Sequence, residues 1–416
     1  MWILYLLGVR AYGFAIRVAT LFNPKAKEWI VGRRDWQRNL SEKFTDKQEK
    51  RIWFHCSSLG EFEQGRPVLE AIKKEYPNHK IVLTFFSPSG YNVKKNDPIA
   101  DYISYLPLDG PIRSKKFLDL VNPDLAFFVK YEFWYFYGKE LQDRKIPYFC
   151  VSAIFRPGQI FFHSLGNFFR KILLRFTHLF VQDQESLQLL YKERITNVTV
   201  SGDTRFDRVF ANSLQQCSLP EVEKFCTNKQ IMVCGSTWPL DEDLLISFIN
   251  QKPIGLKFII APHEINSSQL LKLKNAITQN VCFYSELKNG VSESCDVLVI
   301  DNIGLLSKLY QFADYAYIGG GFSKGIHNIL EAVVYGVPVF IGPNYEKFRE
   351  ARDLVKLKGA FVVNITKVLQ HNYNIFALDN TKLMNVTKIN KQFITERKGG
   401  TEVIMGYLRM NYPQKN

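Results

Sequence analysis

The sequence predicts an α/β protein of two doubly wound, Rossmann-like domains, each a parallel sheet with helices on both faces. Three observations carry this. Short apolar runs alternate with amphipathic stretches from about residue 50; the alternation lapses once, between residues 206 and 230; and a second series of similar length then begins. With 416 residues, 46% hydrophobic and 14% aromatic, and no low-complexity tract, the chain can build two cores.

In order, "RIWFHCSSLG", "KIVLTFFSPSG", "PDLAFFVK", "IPYFCVSAIF", "THLFVQD" and "NVTVSGDTRFD" read as strands that close on Gly, Ser, Pro or Asp. Helical patterns such as "EQGRPVLEAIKKEY" and "QESLQLLYKER" supply the crossovers that parallel strands require. An N-terminal domain is thus expected over residues 41–210. A polar linker follows over 211–230, and a C-terminal domain over 231–385 holds "QIMVCGST", "LKFIIAPHE", "CDVLVID", "YAYIGGG", "VPVFIG" and "GAFVV". Residues 386–416 read as a helical tail that crosses back onto the first domain. Open sheets of this kind bind ligands at the carboxyl ends of their strands, so a central cleft between the two domains is expected.

The opening "MWILYLLGVRAYGFAIRVATLF" is apolar but carries Arg10 and Arg17, and Lys25, Lys27, Arg33, Arg34 and Arg38 follow. Two arginines weigh against spanning, and no small-residue cleavage site marks a signal peptide. Residues 1–40 read as a membrane-associating segment at the interface, with Trp29 and Trp36 at headgroup level. The alternative is a helix packed on the first domain.

A formal charge of +14 predicts attraction to anions. No finger spacing or aromatic RNA-binding motif accompanies it, so nucleic acid is not an expected partner. Seven cysteines without a C-x-x-C and seven histidines without ligand spacing point to no disulfide framework, no metal and a reducing cytosol.

Four stretches place chemistry-bearing residues at strand ends. "HCSSLGEFEQGRP" sets Glu61 where a strand gives way to a helix, as a general base or as a cap of that helix. "YIGGGFSKGIHNILEA" offers glycines that let a ligand approach the backbone, a helix opening near His327 and Asn328, and Glu331 in its first turn to accept from ribose hydroxyls or to complement the helix dipole. "IIAPHEI" puts Pro262 and His263 past another strand. In "STWPLDEDLL", Asp241 and Asp243 read as helix-start acids rather than metal ligands.

The motifs "SSLGE", "TFFSPSG", "YLPLDG", "YEFW", "GDTRFD", "APHE" and "GGG…HNILEA…GVPVFIGP", in this order, resemble the Kdo transferases, which add 3-deoxy-D-manno-octulosonic acid (Kdo) to lipid A precursors. The likeness runs from residue 1 to about 360. It implies the GT-B type of two-domain glycosyltransferase, inverting and metal-independent, needing no cofactor. CMP-Kdo is the implied donor and lipid IVA, a phosphorylated acylated disaccharide, the implied acceptor. The implied setting is lipopolysaccharide inner-core biosynthesis at the cytoplasmic face of the inner membrane.

By the same resemblance Glu61 is the proton acceptor of an S-x-G-E motif. Arg205 takes the basic place of a G-x-x-K-F-D motif, where a cation would steady the leaving group. Glu132 matches the second acid of E-x-E-x-W, with Lys130 in place of the first. CMP would meet Pro262 and His263, the Ile303-Gly304-Leu305 segment, and Asn328, Ile329, Leu330 and Glu331 beside Gly320 and Gly321. The family's G-G-H-N-P is Gly325-Ile326-His327-Asn328-Ile329 here, and its R-H is His263-Glu264. Two rival readings are a nucleotide-sugar epimerase of the same architecture, which needs no lipid, and a non-catalytic protein of the membrane surface.

Overall fold

Two seven-stranded sheets, parallel throughout, organise the chain in a computed structural model that describes residues 1–215, 217–287 and 295–414. The first contains β1 (Arg51–Cys56), β2 (Lys80–Phe85), β3 (Tyr102–Tyr105), β4 (Leu125–Val129), β5 (Tyr148–Ala153), β6 (His178–Val181) and β7 (Val198–Val200), in the spatial order β3-β2-β1-β4-β5-β6-β7. The second contains β8 (Gln230–Thr237), β9 (Leu256–Pro262), β10 (Val281–Phe283), β11 (Val297–Val299), β12 (Tyr315–Ile318), β13 (Val339–Ile341) and β14 (Ala360–Val362), ordered β10-β11-β9-β8-β12-β13-β14. Winding reverses between β1 and β4 in one sheet and between β8 and β12 in the other. Such switch points leave a crevice at the carboxyl ends of the strands.

The central strands are apolar along their length because both faces are covered. Alternation along β1 sends Trp53 to a core with Phe117, Phe128 and Tyr137, and Phe54 to the opposite core with Phe127, Phe149 and Val68. Each such fully buried side chain contributes roughly 1.5–3 kcal/mol. The second sheet buries Phe248, Phe258, Tyr315 and Tyr373 in the same manner.

Two strands escape the sequence reading, β3 and β10. Both are edge strands with alternating burial, so neither shows a continuous apolar run. The stretch expected as a bare linker is partly helical: Arg205–Ser213 runs into it, and Pro220–Cys226 buries Val222 and Phe225. The seven cysteines read as unpaired, whereas Cys282 in β10 is bonded to Cys295, which enters the neighbouring β11, at a Cα separation of 6.0 Å.

By contacts the chain divides into one unit of Met1–Arg208 with Lys398–Asn416 and another of Val209–Arg397. The helix Asn380–Thr395 stays with the second unit, where Asn390 donates to the carbonyls of Val337 and Gly359. The helix Gly400–Asn411 belongs to the first, with Ile404, Met405 and Leu408 in the core beside Phe149. Asp207 fastens its start, accepting from the Thr401 N–H and hydroxyl at 2.7 Å each.

The N-terminal helix Trp2–Ala19 is long and apolar enough to cross a membrane by length and composition, yet buries none of its residues. One side is tied down, with Tyr5 donating to Asp109 at 2.7 Å and Tyr12 against Trp29 and Phe86. Leu4, Leu7, Phe14 and Val18 are exposed.

Candidate active site

In the N-terminal unit, Glu61 and Glu132 follow β1 and β4, the two strands that flank the switch point. Glu61 lies in the first turn of the helix Leu59–Glu75 and accepts from the hydroxyl of Ser58, the residue that caps that helix. The backbone turns sharply after β4 because Lys130 adopts φ +69°, a left-handed conformation that non-glycine residues take at some cost. That turn brings Glu132 back against β1, while the Lys130 ammonium lies over the Tyr131 ring at 5.5 Å.

Glu132 is 8% exposed and doubly held, its Oε2 accepting from His55 Nε2 at 3.0 Å and from Trp134 Nε1 at 2.8 Å. Behind it, His55 Nδ1 stands 2.8 Å from the Thr84 hydroxyl, which also receives Trp53 Nε1–H at 2.8 Å. His55, Thr84 and Trp53 are wholly buried. The carboxylate faces a cavity of about 530 Å³ walled by Tyr5, Tyr12, Ser57, Phe86 and Trp134. Burial, then the charges of Glu61, Glu132 and Glu63, push the Cys56 thiol well above its usual range, so it stays protonated.

Arg205 follows β7. Its Nε and Nη2 donate to Asp203 Oδ2 at 2.9 and 2.7 Å, and Asp203 Oδ1 accepts from Gln64 of the Glu61 helix at 2.9 Å. Burial alone would raise the Asp203 pKa, but the Arg205 charge and these hydrogen bonds outweigh it and hold the carboxyl below its ordinary value. The arginine is therefore positioned from beneath, with one carboxylate fixing its plane.

In the second unit, residues after β8, β9 and β12 meet. The ring of His263 stacks on Trp238 at 4.6 Å and on His327 at 4.3 Å, and Trp238 Nε1 donates to His327 Nε2 at 3.1 Å. Burial, reinforced by His263, brings the His327 pKa down to about 4, which leaves the ring neutral and able to accept. A pocket of about 110 Å³ adjoins, lined by Trp238, Pro262 and Glu242. Asp241 is fully buried and accepts from the N–H of Trp238, the N–H of Gly320 and the hydroxyl of Tyr317, while Asp243 is exposed. The pair thus does not converge as metal ligands. Among the described residues no group of three or more His, Cys, Asp or Glu is placed to hold a metal ion.

The glycines after β12 have a reason other than ligand approach. A Cβ on Gly320, itself at φ +93°, would stand 2.4 Å from the Gly325 carbonyl oxygen, and one on Gly321 would stand 2.6 Å from Gly342 Cα. They let the loop fold on its own backbone. His327 N–H and Gly325 N–H bond back to Gly319 and Gly320, so the expected helix opening at His327 and Asn328 moves to Leu330–Val333. Ile329 and Leu330 are buried, and Glu331 accepts from Asn328 Nδ2 at 3.0 Å. The Asn328 Oδ1 is buried without a hydrogen-bond partner, which marks it as an acceptor awaiting a donor. Ile303, 91% exposed, Gly304 and Leu305 follow β11 on the same edge of the sheet, outside the ring stack.

Sequence reasoning missed His55, Thr84, Trp238 and Asp203. A histidine inside an apolar strand just ahead of a Gly-Glu pair, and an Asp two residues before the arginine, were the available signals.

The family model described as 3-deoxy-D-manno-octulosonic-acid transferase matches residues 34–208, the stretch that contains Glu61, Glu132 and Arg205. A 3-deoxy-D-manno-octulosonic acid transferase of Aquifex aeolicus is 26% identical over 83% of this chain and 89% of its own length, and one of Rickettsia bellii is 27% identical over 80% and 82%. A UDP-GlcNAc 2-epimerase from Neisseria meningitidis, at 15% identity and a TM-score of 0.61, covers 87% of this chain and 100% of that protein, a likeness of fold alone. With the ordered motifs on both sheets and relatives that span most of its length, the chain is similar to the 3-deoxy-D-manno-octulosonic acid transferases, whose family model it matches over its N-terminal unit.

Proposed function

We propose that this transferase moves Kdo from CMP-Kdo to lipid IVA, as an inverting, metal-independent glycosyltransferase at the cytoplasmic face of the inner membrane. The observation that carries the reading is the pair of carboxylates, Glu61 and Glu132, at the switch point of the first sheet, with an apolar cavity in front of Glu132. Glu61 takes the proton of the acceptor hydroxyl as that oxygen attacks the anomeric carbon of Kdo, and CMP leaves as the glycosidic bond forms. Glu132, held by two N–H donors, supports positive charge developing on the sugar ring. Arg205 steadies the departing phosphate. The stack of Trp238, His263 and His327, with Asn328 and Glu331 nearby, receives the cytidine. The N-terminal helix, with its exposed apolar side and basic followers, keeps the enzyme where its lipid acceptor is.

The test is incubation of purified protein with a tetra-acylated, bis-phosphorylated lipid A precursor and CMP-Kdo, with the lipid followed by mass spectrometry. A gain of one or more Kdo masses supports the reading and counts the additions. No gain, with intact donor and folded protein, removes lipid IVA as the acceptor.

A further inference from the structure

A second cavity in the N-terminal unit, about 590 Å³ in volume, plays no part in the chemistry above. Arg10 and Arg17 reach it from the N-terminal helix, Arg33 and Arg34 from the turn after the helix Pro24–Val31, and Arg113 from the helix Pro111–Val121. Among the described residues none of these five arginines is paired with a carboxylate.

Arg33 forms the floor. It is 8% exposed; its Nε donates to the Leu106 carbonyl at 2.8 Å, its Nη1 to that of Trp29 at 3.1 Å and its Nη2 to that of Phe86, and its plane lies 3.8 Å over the Trp29 ring. Neutral carbonyls and an aromatic face satisfy its geometry but leave its charge uncompensated. Taking a cation out of water without an anion is costly, and the four rim arginines add repulsion. A wall with this much unbalanced positive charge is built for an anion, and guanidinium groups match phosphate oxygens in pairs.

The cavity also has apolar walls, Phe14 and Leu108 among them. Leu108 borders the Glu132 cavity as well, and the N-terminal helix contributes Gly8, Val9 and Tyr12 to that cavity and Arg10, Gly13 and Phe14 to this one. Along that helix the residues lining the two cavities are offset by five positions, about 7–8 Å of axial rise. The same helix exposes Leu4, Leu7 and Val18.

We propose that the arginine-lined cavity is a discrete binding site for a phosphate monoester borne on an acylated molecule. The inference deepens the functional reading and rests on it for the lipid, though not for the anion. The phosphate belongs either to the acceptor, whose sugar then reaches the Glu132 cavity, or to a phospholipid of the bilayer.

The variant R34A/R113A changes two exposed rim residues and leaves the core untouched. Flotation is measured with phosphatidylcholine vesicles carrying phosphatidic acid, and with vesicles of matched surface charge carrying oleate. Wild type should favour phosphatidic acid by about tenfold and the variant should lose that preference. Kdo transfer in neutral detergent micelles separates the sources. A KM for phosphorylated acceptor raised about tenfold in the variant, with no change for dephosphorylated acceptor, assigns the cavity to the acceptor; unchanged transfer with weakened flotation assigns it to the bilayer lipid. Equal binding of wild type to both vesicles, with KM unaffected in the variant, overturns the site. Loss of transfer by wild type with the vesicle preference intact would sink the transferase reading and leave the site standing.

Discussion

The imidazole of His55 joins the Glu132 carboxylate to the interior of the first sheet, 3.0 Å from Nε2 to Oε2 on one side and 2.8 Å from Nδ1 to the Thr84 hydroxyl on the other. Trp53 only donates to that hydroxyl, so the hydroxyl proton turns to Nδ1, which then accepts, and the ring proton sits on Nε2 facing Glu132. Donor and acceptor directions close along the whole chain.

Thr84→Val removes the donor to Nδ1 and keeps the shape. The remaining neighbour of Nδ1 is the Thr84 carbonyl at 3.1 Å, which only accepts, so Nδ1 loses its donor while the Glu132 carboxylate, the stronger acceptor, keeps the ring proton on Nε2. The ring that orients Glu132 is then anchored on one side only. Turnover should fall about tenfold with the KM for CMP-Kdo little changed, and Thr84→Ser should restore it. Nitrogen-15 spectra of labelled histidine should show the Nδ1 signal shifted by loss of its hydrogen bond; a Val variant with normal turnover and an unchanged Nδ1 signal would refute the role of Thr84.

Glu61→Gln separates base from cap. The amide keeps the size and can still accept from Ser58, but it cannot take a proton. Turnover should drop by about 10²–10⁴ while the melting temperature barely moves. A rate near wild type would leave Glu61 as a helix-start residue only.

Trp238→Ala withdraws the ring on which His263 stacks and the donor to His327. The expected result is a KM for CMP-Kdo raised about two- to tenfold, with kcat within a few-fold of wild type, since aromatic stacking supplies about 0.5–1.5 kcal/mol. Steady-state kinetics with donor varied would show it, and a kcat effect without a KM effect would contradict a donor-side role.

His178 in β6 stacks on Tyr407 of the helix Gly400–Asn411 at 4.3 Å, and burial brings its pKa down to about 4. A base whose folded pKa is depressed adds stability above its unfolded value, about 6.5, and loses it as pH falls toward the folded value. Stability of the N-terminal unit should therefore decline between pH 6.5 and 4, and His178→Phe should flatten the slope by up to about 1.4 kcal/mol per pH unit. Five of the six tryptophans, all but Trp238, lie in that unit, so urea unfolding read by tryptophan fluorescence reports on it. Equal slopes in both proteins would show that His178 does not titrate in this way.

Much of this architecture was legible because buried parallel strands are written as uninterrupted apolar runs, as at Leu125–Val129. What stayed hidden depends on partners distant in sequence. Nothing near Thr84 announces that it will meet His55 and Trp53 across two paired strands. Asp109, read only as part of "YLPLDG", caps the helix Tyr135–Asp143 through the N–H groups of Phe136 and Tyr137 and ties down Tyr5. The glycines after β12 were legible as special but not as self-packing, because their neighbours Gly325 and Gly342 approach only in the fold.

The return of the helix Gly400–Asn411 to the first sheet also sets an order of events at the ribosome. Phe149 and Phe180 await Ile404, Met405 and Leu408, and all of Val209–Arg397 must be made in between, which at roughly 5–20 residues per second takes about 10–40 s. For that interval one face of the nascent first sheet lacks its final apolar cover. A chain stalled after Arg208 would carry an uncovered greasy stripe, a natural target for chaperones and a poor candidate for expression alone.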